Sequence, residues 1–248
     1  MTVTVDDTNL KAIADAIREK SGAEDTYKPS EMAAAIQAIE TGGDVDALIE
    51  RTATDITSNA TIIGDNTFSY YRTLITADFP LATTVDKNGF YCCSGLETLN
   101  LPKVKSIGYN SCNGCSALET VYLPECEMID YSGFSGCKAL EKIDLPCVTE
   151  MGSYAFRYGY SLKAVIMRKA ALCSVGSSPF IDCYHILGTV NETYNPNGAK
   201  DGYIYVPSAV IEEYKTTVPW SSYADQFRAL EDYTVDGTTT GALDESKI

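Results

Sequence analysis

The sequence predicts a repeat solenoid, and three observations do so together. Pro80, Pro102, Pro124 and Pro146 fall 22 residues apart. Leu74, Leu96, Leu118, Leu140 and Leu162 keep that step, as do Ile63, Val85, Ile107, Ile129 and Met151. Phe68, Phe90, Cys112, Phe134 and Phe156 keep it a third time. Composition alone does not give several independent positions one period. A fixed step of about 20–29 residues marks coils that bury their apolar edge only by stacking on the next coil.

The elements follow in chain order. In residues 9–20, Leu10, Ile13 and Ile17 share one helical face, with Asn9 or Thr8 as cap and Gly22 past the end. In a second helix, Pro29 suits the first turn and Met32, Ile36 and Ile39 form the stripe. Two stripes this short make no independent core, so residues 1–42 are expected to be a helical hairpin, an attachment or oligomerisation module that docks on another protein, on the same hairpin of a neighbouring copy or on the solenoid. Thr41–Asp44 reads as a linker, and residues 45–58 as an irregular cap opening a solenoid over 43–172. In each coil the segment from Leu to Leu-Pro is a short strand, ended by proline where no ladder donor is needed. A second short strand surrounds the Ile107 position, and a turn or one-turn helix carries the Phe134 and Cys137 positions. After Leu162 the match decays, with Arg168 where proline stood. Residues 173–231 are expected to cap the array, with a short helix from Pro207 and a plug of Trp220, Tyr223, Phe227 and Leu230. Residues 232–248 are expected to form an extended tail.

Composition narrows the function. The 248 residues are 45% hydrophobic, enough for a core, and carry a formal charge of −15. Phosphate binding needs clustered Lys and Arg, so no nucleic-acid partner is expected, nor an anionic membrane surface. No apolar run is long enough to cross a bilayer, and MTVTVDDTNL has neither the basic nor the apolar part of a secretory signal. Neither membrane insertion nor export by this start of the chain is therefore expected.

Nine cysteines raise the questions of disulfides and zinc. Cys93, Cys115 and Cys137 share one repeat position, and Cys112 stands where other coils have Phe. Those are apolar ladder sites, which favours reduced core thiols over an isolated disulfide or a metal. Cys112 and Cys115 spell CxxC, but zinc wants a second pair or a nearby histidine, and the one histidine is distant His185. Catalysis would have to use that same histidine, so no catalytic residue, cofactor or metal is expected.

The repeat L-x-x-[LVI]-x-L-P-x-[VC]-x-x-[IVM]-[GD]-x-x-x-[FC]-x-x-C resembles the BspA-type leucine-rich repeat over residues 60–167. The flanks, LKAIADAIREKSGAEDTYKPSEMAAAIQAI and residues 188–248, look like segments that recur in tail and tail-fibre proteins of phages of Gram-positive gut bacteria. What this resemblance implies is a virion component with no catalytic residues. Its N-terminal helices would meet other tail or baseplate proteins, and its repeats would face a bacterial surface glycan or protein. A fibre of this kind implies a homo-oligomer, commonly a trimer. The first coil departs from the pattern, with Ala77 and Phe79-Pro80 where others have a larger apolar residue and Leu-Pro.

Two outward strips are the candidate contact surface. Glu97, Glu119 and Glu141 share one exposed strand position, either a solvated face that discourages edge association or an acidic strip for a cationic partner or Ca²⁺. Tyr109 and Tyr131 share a turn position, and Tyr122 shares a strand position with Asn100 and Asp144. Tyrosine beside Asn, Asp and Glu suits sugar or protein contact through flat apolar faces and rigid hydrogen-bonding groups; the alternative is that it only covers the coil. Three readings follow: a tail-borne adhesin, a structural tail subunit, and a bacterial cell-surface adhesin.

Overall fold

The computed structural model describes residues 2–5 and 53–248. The expected helical hairpin, with Leu10, Ile13, Ile17, Met32, Ile36 and Ile39, lies outside them. Parallel strands stack into ribbons along the array. The first ribbon joins β1 (Thr2–Val5), β2 (Asp55–Ser58), β4 (Thr76–Asp78), β6 (Thr98–Asn100) and β8 (Thr120–Tyr122) in that order. A second joins β10 (Lys142–Leu145), β12 (Ala164–Met167), β14 (Tyr203–Val206) and β15 (Phe227–Ala229). The two-residue strands β3 (Ile62–Ile63), β5 (Thr84–Val85), β7 (Ser106–Ile107), β9 (Met128–Ile129), β11 (Glu150–Met151) and β13 (Ser174–Val175) form a third. Register follows the repeat, as in Thr98↔Thr120 and Ile107↔Ile129.

Side chains at every second strand position enter one core, running from Ala53 to Phe227. Phe68 stacks on Phe90 at 5.2 Å and 16°, and Phe134 on Phe156 at 5.7 Å and 6°. Each such ring contributes about 2–3 kcal/mol by leaving water. The backbone between coils is close enough that Gly152 is required: a Cβ there would sit 2.5 Å from the Tyr131 nitrogen.

The structure decides one alternative of the sequence reading and departs from it in four places. Of the two expected forms, the Phe134 segment takes the turn, because each coil carries two left-handed residues that end helical continuation. Asn66, Asn88, Asn110, Ser132 and Tyr154 fill one of these positions, and Tyr70, Cys92, Gly114, Gly136 and Tyr158 the other. The irregular cap is partly strand, since Asp55–Ser58 pairs with β4, and Thr2–Val5 pairs with β2 ahead of the expected hairpin. The coils continue past residue 172, where a cap was expected: Glu150 pairs with Ser174, a step of 24, and Phe180 stacks on Phe156 at 5.8 Å. Two extra residues between Arg168 and Cys173 shift the phase without breaking the column. The tail is not extended. Thr234 bridges Leu243, and Tyr233 and Leu243 pack with Ala164, Ile166, Tyr205 and Leu230 on the outer face of the second ribbon.

The last difference lies between β8 and β10, which are neighbours in the repeat but belong to separate ribbons. β9 and β11 stay paired behind them, so the opening is a wedge of about 510 Å³ on the strand face. Val121, a ladder residue, is only half-buried there. Beyond the coils, α1 (Tyr184–Leu187) and α2 (Ile211–Thr216) precede and follow β14, and Trp220, Tyr223 and Phe227 are buried against the last coils. No helix among the described residues is long and apolar enough to cross a membrane.

Candidate functional site

The thiols face inward, for a reason visible in the coil. Cys93 Sγ donates to the Phe68 carbonyl at 2.9 Å, Cys115 to Phe90 at 3.1 Å and Cys137 to Cys112 at 3.3 Å. Cys183 repeats the contact with Phe156 at 3.1 Å after the insertion. All nine cysteines are reduced. Burial pushes Cys126 from the ordinary 9.0 up to about 12 and holds Cys137 and Cys183 higher still, the opposite of an activated nucleophile. His185 Nδ1 lies 2.7 Å from Asp201 Oδ1 and ties α1 to the loop before β14. No group of three or more potential metal ligands gathers among the described residues.

The strand face is laid out by the period-two alternation of β4, β6, β8, β10 and β12. Glu97, Glu119 and Glu141 all point outward and are exposed. They rise coil by coil, with the Glu119 and Glu141 side chains on opposite lips of the wedge. The next outward row holds Asp78, Asn100, Tyr122 and Asp144. Asn100 Nδ2 donates to Asp78 Oδ1 at 2.6 Å, which fixes that pair. Tyr122 is 55% exposed. Asp144 is not available to a partner, because Arg168 binds it through Nε at 2.9 Å and Nη2 at 2.7 Å.

Tyr109 and Tyr131 do not join Tyr122. They follow β7 and β9 in another ribbon, stacked on each other at 5.1 Å and 8°. Tyr154 meets Tyr131 edge-on at 5.4 Å, and Lys87 sits 5.8 Å from the Tyr109 ring centre. The flat faces expected to meet a sugar are thus spent on neighbouring rings, leaving edges and hydroxyls outward. The candidate residues therefore form two strips, a strand strip and a turn strip.

Sequence reasoning missed the larger aromatic features. Tyr160 stacks on Tyr184 at 4.7 Å and lies 4.8 Å from Tyr194, with Lys138 over its ring at 5.4 Å. Arg157 lies 4.3 Å from the Tyr158 ring centre. A cavity of about 340 Å³ opens at the end of the strand face, lined by Tyr203, Tyr205 and Tyr233 with Glu141, Lys142 and Lys163. Tyr184, Tyr194, Tyr203, Tyr205 and Tyr233 lie beyond the regular period, so no repeat signal brought them to Tyr160 or to Glu141 and Lys163.

No curated protein matches the chain. Among solved structures, a leucine rich repeat protein of T. pallidum aligns at 23% identity and TM-score 0.42, over 52% of this chain and 53% of that one. A leucine-rich repeat protein from Bacteroides ovatus aligns at 20% identity and TM-score 0.40, over 69% of this chain and 43% of that one. A leucine rich cell surface protein from Faecalibacterium prausnitzii aligns at 16% and 0.41, over 70% and 71%. The chain thus spans about half the length of the first two or less. The BspA type leucine rich repeat region matches residues 49–163 and 83–193, in six copies. The phased Leu-Pro, Phe and Cys positions fall within that match, and the chain belongs to the BspA-type leucine-rich repeat family.

Proposed function

We propose that the chain is a non-enzymatic adhesion protein, carried on a phage tail, whose solenoid contacts a bacterial surface glycan or protein. The observation that carries the binding part is the strand face, where Glu97, Glu119 and Tyr122 stand outward along one backbone-bonded ribbon and Glu141 continues the row across the wedge. A rigid surface loses little side-chain and loop freedom on binding. Four thiols point the other way, spent on carbonyls of the coil before. The tail assignment is supported by the resemblance of the flanking segments to tail proteins, with residues 1–42 as the attachment and oligomerisation module.

The experiment is made on purified particles. Mass spectrometry should find the chain in them, and native mass measurement should give a homo-oligomer, a trimer if it is a fibre. Particles carrying Tyr109→Ala, Tyr122→Ala and Tyr131→Ala together should assemble but lose adsorption. Normal adsorption of that variant, with failed assembly when Ile13 and Ile17 become Asp, would instead make the chain a structural tail or baseplate subunit. Recovery of the chain in the envelope fraction of a bacterium, and not in particles, would make it a cell-surface adhesin with the same binding face.

A further inference from the structure

The cavity at the end of the strand face is walled in part by a buried tyrosine, Tyr205. Tyr205 is 2% exposed, and what remains accessible lies on the cavity side that it lines. The ring is held rigidly: Tyr233 meets it edge-on at 4.8 Å and Tyr203 at 6.4 Å. Glu141 and Lys163 occupy one repeat position in adjacent coils and line the same cavity, yet no ion pair joins them. The pocket thus offers an acceptor, an ammonium donor and a phenol that can do either, beside aromatic walls.

The charges decide the ligand class. The lining carries three acidic and three basic side chains, Glu141, Asp201, Glu245, Lys142, Lys163 and Lys247, so it favours neither a strong anion nor a cation. A volume of about 340 Å³ is at the small end for ligand sites. A neutral ring with an apolar face and a rim of hydroxyls fits this mixture. We propose that the pocket binds one or two hexopyranose rings of a surface polysaccharide, with Tyr205, Glu141 and Lys163 bonding the hydroxyls. This deepens the adhesion reading and rests on it for the source of the sugar.

The test is saturation-transfer NMR on the full chain with free cellobiose, maltose, lactose and N,N′-diacetylchitobiose, in parallel with binding of the labelled chain to intact bacteria. At least one disaccharide should receive saturation. Tyr205→Phe should bind it about fivefold more weakly, as loss of one hydrogen bond implies, with an unchanged melting temperature. Val190→Ala, exposed and outside the cavity, should bind as the parent does. Absence of transfer to all four sugars, or full binding by Tyr205→Phe, overturns the pocket assignment. If cell binding persists in that case, the adhesion reading stands without it. Disaccharide binding with no cell binding has the reverse meaning.

Discussion

Cysteine at the Cys93, Cys115, Cys137 and Cys183 positions answers to a carbonyl in the preceding coil rather than to redox chemistry. A thiol fills the apolar slot and still offers a weak donor to an oxygen that already accepts one backbone N–H, as Phe90 does from Cys93. Cys115→Ala should therefore lower stability by about 1–2 kcal/mol in urea unfolding, from the cavity and the lost bond together. No change would mean the slot is loosely packed. Burial also raises Cys126 and Cys173 from 9.0 to about 12 and Tyr205 from 10.0 to about 12. Between those values the folded chain keeps protons that the unfolded chain has released. Their contribution to stability is thus complete below pH 9 and lost as pH rises toward 12. The melting temperature should be level from pH 7 to about 8.5 and fall steeply above it, with a shallower fall in Cys126→Ala. A level profile to pH 11 would show the thiols to be in contact with water.

At the scale of elements, the turn stack depends on residues that tolerate left-handed backbone. Asn110 sits at φ 53°. Asn110→Ala should cost about 1 kcal/mol and Asn110→Gly close to nothing, read as urea midpoints. Equal effects would point to the side-chain amide, which accepts from Asn113 at 3.2 Å, instead of the backbone. The tail depends on one side chain. Arg168 binds Asp144 and also donates to the carbonyls of Thr239 and Gly241, both at 2.9 Å. Arg168→Ala should lower stability by about 2 kcal/mol, less than a fully buried pair because Asp144 is partly wet. It should also make residues 234–248 the first site of limited proteolysis. An unchanged cleavage pattern would show that the packing of Tyr233 and Leu243 holds the tail unaided.

Across the whole molecule, what was legible in the sequence is what the period controls. Leu96, Ile107, Phe90 and Cys93 repeat because each stacks on its equivalent one coil away, so spacing alone locates the column. Features that break the period were illegible. The insertion before Cys173 moves Phe180 and Cys183 out of phase, although both continue their ladders. The wedge between β8 and β10 leaves no mark, since Val121 is an ordinary ladder residue. The folded tail depends on Arg168 meeting carbonyls 71 and 73 residues away, a contact no local pattern encodes. Of the candidate site, the outward direction of Glu97, Glu119, Glu141 and Tyr122 followed from alternation, whereas the self-stacking of Tyr109 and Tyr131 needed coordinates. Everything functional rests on a continuous column that hides its thiols and presents stiff outer strips. Native-state alkylation of the nine cysteines, read residue by residue by mass spectrometry, tests that column most directly. Only half-buried Cys92 and Cys147 should react quickly, and all nine should react in denaturant. Rapid native labelling of Cys93, Cys115 and Cys137 together would contradict the stacked-coil interior.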